Sequence, residues 1–176
     1  SSSFNPVLAR RLVVDGSSKS SATTFENLSA TGVSFRQEDM EYISGSNYGI
    51  NYSNRDGSIE LVSCKISGSP TSAMFATSPS LSNDGNQTVT VNGLELDGTI
   101  ASGLLNGIQV TKVNNLTNTL ALDIKAVDAK LTATGSGNVA GINVKTVNPT
   151  ISNCNLTIDG LSTTGTGHFG IVVQGQ

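Results

Sequence analysis

Apolar and polar residues alternate along most of this chain in short runs, and the runs recur. "SIELVSCKISG" begins at Ser58, "TVTVNGLELDG" at Thr88, "TLALDIKAVDA" at Thr119 and "TISNCNLTIDG" at Thr150. Alternation of this kind sends successive side chains to opposite faces of a strand. Aligned on their first apolar residue, the runs are anchored at Ile59, Val89, Leu120 and Ile151, with a poorer copy at Phe25 in "TTFENLSATG". The steps between anchors are 34, 30, 31 and 31 residues. Ser or Thr precedes every anchor. In the last four copies an aliphatic residue follows seven places on (Ile66, Leu96, Val127, Ile158), and two places later come Gly68, Gly98, Ala129 and Gly160.

A second phrase precedes these runs: "YGINYS" at Gly49, "NGIQVT" at Gly107, "AGINVK" at Gly141 and "FGIVVQ" at Gly170, with "SAMFAT" near Met74 as a degenerate copy. Each is a short alternating run entered through a Gly, the pattern of a strand leaving a turn. Helical periodicity is nearly absent. Only "FRQEDMEYI" (Phe35 to Ile43) has room for a helical turn, and it reads equally well as a loop.

A period of 20–50 residues signals stacked repeats. Two or three short strands per repeat, glycine corners and no helix describe one rung of a parallel β-helix. Rungs stack ~4.8 Å apart, so equivalent positions form columns, and about five rungs make a rod ~24 Å long. A β-sandwich accepts the alternation but predicts no sustained step near 31 residues. The expected fold is therefore an all-β solenoid over residues 23–176, with residues 1–22 as a cap or linker. The chain starts at Ser1 and its last run stops in mid-rung at Gln176, so a fragment of a longer chain is expected.

The rung text "GINVKTVNPTISNCNLTIDG" resembles the right-handed, pectate-lyase-like β-helix superfamily, over most of the chain from about Thr23 onward. That resemblance implies a right-handed parallel β-helix. It leaves activity open, because the superfamily holds lyases, hydrolases, epimerases, adhesins and bacteriophage tailspikes. The Gly-His-Gly element and Asp-Asp pair of its polygalacturonase branch are missing: the text reads Gly167-His168-Phe169-Gly170, and no two Asp are adjacent. Nor is there an Arg in the regular rungs of the second half to match the catalytic Arg of the lyase branch.

Composition narrows the classes. Charged residues are 13%, aromatics 5% with no Trp, and net charge is -3. Such a balance provides no electrostatic footprint for nucleic acid. No apolar run approaches the ~18 residues of a membrane span. Ser, Thr and Asn suit outward positions and corners. The five Asn-x-Ser/Thr matches, at Asn27, Asn51, Asn86, Asn115 and Asn155, are what such a composition yields by chance. Cys64 and Cys154 fall three rungs apart, about 14 Å along the axis, beyond the ~7 Å a disulfide tolerates. Two free thiols buried as small apolar residues are expected.

Candidate chemistry centres on a column of Asp97, Asp128 and Asp159, each eight places after its anchor, with Ser67 one rung earlier. Stacked carboxylates would serve a retaining glycosidase or calcium, whereas Asp-Gly is equally a turn pair. Glu95, two places before Asp97, shares its face and is the best second carboxylate. His168, the only histidine, is a candidate general base or a plain corner residue. "GSGNVAG" (Gly135 to Gly141) has the glycine density of a phosphate loop but neither its spacing nor a following helix, and reads as a turn. No Cys/His cluster has zinc-ligand spacing. Tyr42, Tyr48 and Tyr52 gather in one irregular stretch and could stack on sugars, or else Tyr48 and Tyr52 cap the end of the apolar column. Arg36 to Asn47 and Ser69 to Gln87 read as the long loops on which a binding surface would be grafted.

No metal or cofactor is expected. The expected function is a structural and glycan-binding module of a surface-exposed fibre or spike, of phage tailspike or adhesin type. Cell-surface polysaccharide is its partner, the assembly is a homotrimer or larger, and the place is extracellular, on a virion or cell surface. The alternative is a polysaccharide-degrading enzyme, a glycoside hydrolase or lyase, using Glu95, Asp97 and Asp128 or Asp159.

Overall fold

The computed structural model describes residues 7–27, 33–54, 57–77, 87–111, 120–145, 150–160 and 168–174. Among them there are strands and corners and no helix. The strands are β1 (Val7–Arg10), β2 (Val13–Asp15), β3 (Ser21–Asn27), β4 (Val33–Glu38), β5 (Glu41–Ile43), β6 (Tyr48–Asn54), β7 (Gly57–Gly68) and β8 (Ala73–Thr77). They continue as β9 (Gln87–Thr111), β10 (Leu120–Lys145), β11 (Thr150–Ser152), β12 (Asn155–Gly160) and β13 (Phe169–Gln174). Every pairing between them is parallel, so the molecule is a β-solenoid and the sandwich is excluded.

Each rung has three faces. The first stacks β1, β4, the start of β7, β9 and β10, and β11, six strands against the expected five or so rungs. The second stacks β2, β5, the later parts of β7, β9 and β10, and β12. The third stacks β3, β6, β8, the ends of β9 and β10, and β13. Among the described residues the ladder begins at Val7, so part of the segment read as a cap or linker supplies paired strands.

Columns of apolar side chains fill the interior. Phe35, Ile59, Val89 and Leu122 form one, and Ile66, Leu96, Ala129 and Leu156 another. Ile50, Phe75, Ile108 and Ile142, all fully buried, form a third. At ~25 cal/mol per Å2 of apolar surface, burial of each such side chain contributes about 1.5–3 kcal/mol. A single rung has nothing to cover its interior, so only the stack is stable.

One corner repeats in every rung. Between the first and second faces a single residue takes a left-handed backbone: Arg11 (φ 53), Asp39 (φ 50), Ser63 (φ 51), Gly93 (φ 78), Ala126 (φ 53) and Asn153 (φ 52). It turns the chain and resets the in-out alternation. In five of these rungs the next residue then faces the interior: Met40, Cys64, Leu94 and Val127 are buried and Cys154 is half-buried, whereas Leu12, after Arg11, is exposed. Both cysteines are free and three rungs apart, as expected; they share this column, and Cys154 is only half-buried where burial was expected.

The second phrase is aligned residue for residue. Ala22, Gly49, Met74, Gly107, Gly141 and Gly170 occupy one register position. The reason for glycine is close approach between rungs. A Cβ on Gly107 would sit 2.4 Å from the Gly141 carbonyl oxygen, and one on Gly141 2.6 Å from that of Gly170.

The anchor alignment is corrected in two places. Phe25 lies on the third face beside Tyr52, and the true partner of Ile59 is Phe35. Val89 pairs with Leu122, two residues beyond Leu120, and Ile151 pairs with Ile124. The rung length thus varies, with steps of 24, 30 and 33 residues from Phe35 to Leu122 and 27 from Ile124 to Ile151. "FRQEDMEYI" is neither helix nor loop: it is β4, the left-handed corner at Asp39, and β5. Arg36 to Asn47 is therefore mostly regular rung. Of the second expected loop, residues 69–77 include β8, and 78–86 lie outside the described residues.

Candidate functional site

The outward positions of the second face carry most of the candidate residues. One column runs Glu41, Lys65, Glu95, Asp128 and Asn155. The next runs Ile43, Ser67, Asp97, Lys130 and Thr157. The expected column of three aspartates does not form. Asp97 stands beside Lys130, Asp128 stands beside Glu95, and Asp159 pairs with Thr132. Two extra residues in the step from β9 to β10 part Asp97 from Asp128, and the shorter step to β12 leaves Asp159 four places beyond Asn155, the partner of Asp128. A slip of two keeps every side chain on its face and moves only its neighbour.

Opposite charges adjoin at Glu41 and Lys65, Lys65 and Glu95, and Asp97 and Lys130, whereas Glu95 and Asp128 are like charges one rung apart. The Lys65 Nζ lies 2.8 Å from the Glu95 Oε1, and the Asn155 amide donates to Asp128 Oδ1 at 3.3 Å. The hydrogen bond to Glu95, then its charge, holds the Lys65 ammonium above the usual lysine range. Both members of this pair are open to water, Lys65 at 43% and Glu95 at 57%. Surface pairs of this kind contribute little to stability, ~0–1 kcal/mol.

Two shallow depressions lie between these side chains. One, of about 310 Å3, is lined by Ser63, Lys65, Gly93, Glu95, Ala126 and Asp128. It exists because the corner residues Ser63, Gly93 and Ala126 are small while their neighbours are long. The other, of about 280 Å3, lies between Glu95, Asp97, Asp128, Lys130 and Thr157. Together they form a polar trough along the rod. Among the described residues, no group of three or more His, Cys, Asp or Glu converges to hold a metal ion.

The aromatic candidates lie elsewhere. Tyr42 is 1% exposed, and its hydroxyl donates to Gln37 Oε1 at 2.9 Å inside the core. Tyr52 is fully buried, with its ring edge-on to Phe35 at 6.4 Å. Neither can meet a sugar, which corrects that expectation; both occupy inward positions of their strands. Tyr48 is half-buried at the start of β6. His168 directly precedes β13, and both its ring nitrogens are buried with no hydrogen-bond partner among the described residues. The lysines of the second face were missed by sequence reasoning. Their signal was present: Lys65 and Lys130 sit at the outward phase of the same runs that carry the acids.

On the first face, Arg36 pairs with Glu38 at 2.5 Å and also with Glu60, while Arg10 reaches Glu38 at 2.5 Å. The Arg36 hydrogen bond, aided by Arg10, holds Glu38 below the usual carboxylate range. This network fastens the first three strands of that face. No helix of the described residues is long and apolar enough to cross a membrane. Comparison with protein-family models, curated proteins and solved structures finds no match.

Proposed function

We propose that this chain is a structural and glycan-binding module of a surface-exposed fibre or spike, of tailspike or adhesin type, engaging cell-surface polysaccharide. The observation that carries this reading is the polar trough of the second face. Lys65, Ser67, Glu95, Asp97, Asp128, Lys130, Asn155 and Thr157 repeat along the rod at the ~4.8 Å rung spacing. A periodic row of donors and acceptors suits a periodic, hydroxyl-rich polymer. The stacked parallel ladder supplies a rigid support.

The enzyme reading is weaker on physical grounds. A general acid for glycoside cleavage is a carboxyl shielded from water. Glu95 is open to solvent and tied to Lys65. Its neighbour Asp128 is exposed and accepts from Asn155.

The module assembles as a homotrimer or larger, side by side, at an extracellular, virion or cell surface. Light scattering across a concentration series, combined with polysaccharide binding and an assay for new reducing ends, tests this. A stable trimer that binds polysaccharide without cutting it is the expected result. A monomer with measurable hydrolysis overturns it in favour of a glycoside hydrolase or lyase.

A further inference from the structure

Asn-Gly occurs twice in the chain, at Asn92-Gly93 and Asn106-Gly107. An asparagine in this position is especially labile, because no Cβ hinders the glycine nitrogen as it approaches the side-chain amide carbon. The fold treats the two pairs oppositely. Asn106 is 3% exposed. Its amide donates to the Ser72 carbonyl at 3.0 Å, and its Oδ1 accepts from the Asn143 amide at 3.0 Å. Gly107 lies in the close-packed column, with the Gly141 carbonyl oxygen 2.4 Å from where a Cβ would sit. Asn92 is exposed on the first face, and no hydrogen bond fixes its side chain among the described residues. Gly93 is a left-handed corner residue (φ 78). The other corners of this kind read Arg10-Arg11, Glu38-Asp39, Val62-Ser63, Lys125-Ala126 and Ser152-Asn153, so Asn92-Gly93 alone joins an amide to a glycine.

We infer that Asn92 is a site of spontaneous modification, converting through a cyclic imide with Gly93 to isoaspartate and aspartate, while Asn106 is protected by the fold. The Gly93 backbone nitrogen gives its proton to hydroxide and attacks Cγ of Asn92. The bond from Cγ to the side-chain nitrogen breaks, and that nitrogen takes a proton from water and leaves as ammonia. Water then opens the five-membered imide at either carbonyl. Opening at the backbone carbonyl leaves the chain running through Cβ and Cγ, one atom longer. At two equivalent corners the left-handed residue donates its N–H to the next rung, Arg11 to the Glu38 carbonyl at 3.1 Å and Asp39 to that of Val62 at 3.0 Å. A bond of that kind at Gly93 has to open first, so the reaction draws on local opening of the corner. The site matters to the stack. The added backbone atom falls between Val91 and Leu94, both buried, at the residue that resets the in-out alternation. The new carboxylate stands one rung from Lys125, the register partner of Asn92.

The test is prolonged warm incubation of the full chain in mildly alkaline buffer, folded and in urea, followed by peptide mapping with mass spectrometry. Cleavage after lysine, arginine and glutamate puts Asn92 and Asn106 in separate peptides, because Glu95 lies between them. In the folded protein, isoaspartate is expected to accumulate at position 92 at least about tenfold faster than at 106, where two side-chain hydrogen bonds must break first. In urea the two rates should converge. Gly93→Ala should slow the reaction at 92 by hindering the nitrogen, and Asn92→Gln should abolish it. Equal rates at the two positions in the folded protein would overturn the inference, since the fold would then protect neither. An intact Asn92 in folded protein, beside modification of both positions in urea, would overturn it too, and would show that the ladder holds the corner shut.

Discussion

Asp128 is the register partner of Glu95 in the parallel ladder between β9 and β10. Two carboxylates one rung apart, with Lys65 on the far side of Glu95, form the acidic centre of the trough. Asp97 is the neighbour of Lys130 and stands outside that pair.

If the trough binds polysaccharide, Glu95→Gln and Asp128→Asn should each weaken binding several-fold, measured by calorimetry. Being exposed, they should move stability by no more than about 0.5 kcal/mol. A glycan-cleaving activity that disappears in Asp128→Asn while binding persists would instead support the enzyme.

Gly107→Ala should be severely destabilising. The new Cβ would lie 2.4 Å from a backbone oxygen of the next rung, where neither side can move freely. A loss of 3 kcal/mol or more is expected, about the upper range for single substitutions. Gly170→Ala is the matched control: it occupies the same column on the last rung, with nothing within 4 Å of its Cβ. Urea unfolding of both should separate them clearly.

The left-handed corners predict a gain. Ala126 (φ 53) is exposed and takes a conformation that costs an L-residue about 1–2 kcal/mol. Ala126→Gly removes that strain at some cost in unfolded-state entropy, for a net stabilisation of roughly 0.5–1 kcal/mol. Gly93→Ala in the next rung should lose a similar amount. Thermal melts of the two variants should shift in opposite directions.

Tyr42→Phe should destabilise the fold by ~1–3 kcal/mol, because it strips the hydroxyl from Gln37, which is 2% exposed. Chemical denaturation measures the loss directly. An unchanged midpoint would mean that Gln37 finds another donor.

Glu38 sets an acid limit. Its carboxyl is held below the usual range in the folded state by Arg36 and then Arg10. Its contribution is therefore present above the unfolded value of about 4.3, and is lost as pH falls through the lower folded value. Stability measured from pH 7 down to pH 3 should fall less steeply in Glu38→Gln than in the parent protein.

Much of the fold could be read from the chain. The column of Gly49, Met74, Gly107, Gly141 and Gly170 was legible because close approach between rungs leaves its own mark, a Gly at a fixed phase. The acid column was not legible. A slip of two residues preserves the in-out pattern, so hydrophobicity cannot distinguish Leu120 from Leu122 as the partner of Val89. Neighbours on the outer face depend on the length of the connection before β10, which the pattern does not record. The charges of "FRQEDMEYI" hid a strand because Arg36, Glu38 and Glu60 neutralise one another across rungs. Tyr42 and Tyr52 were misplaced as sugar-facing residues because a phenol tip suggests a surface, whereas the phase of Tyr52, two residues after Ile50, already pointed to the apolar column.

The parallel ladder also determines how the rod bears load. Its hydrogen bonds lie along the axis, linking one rung to the next. Tension applied between the two ends draws on those rows in series, so the weakest interface yields first and rungs peel away singly. Sideways bending is shared among all three faces. A solenoid built this way is therefore expected to be weaker when pulled end to end than when bent.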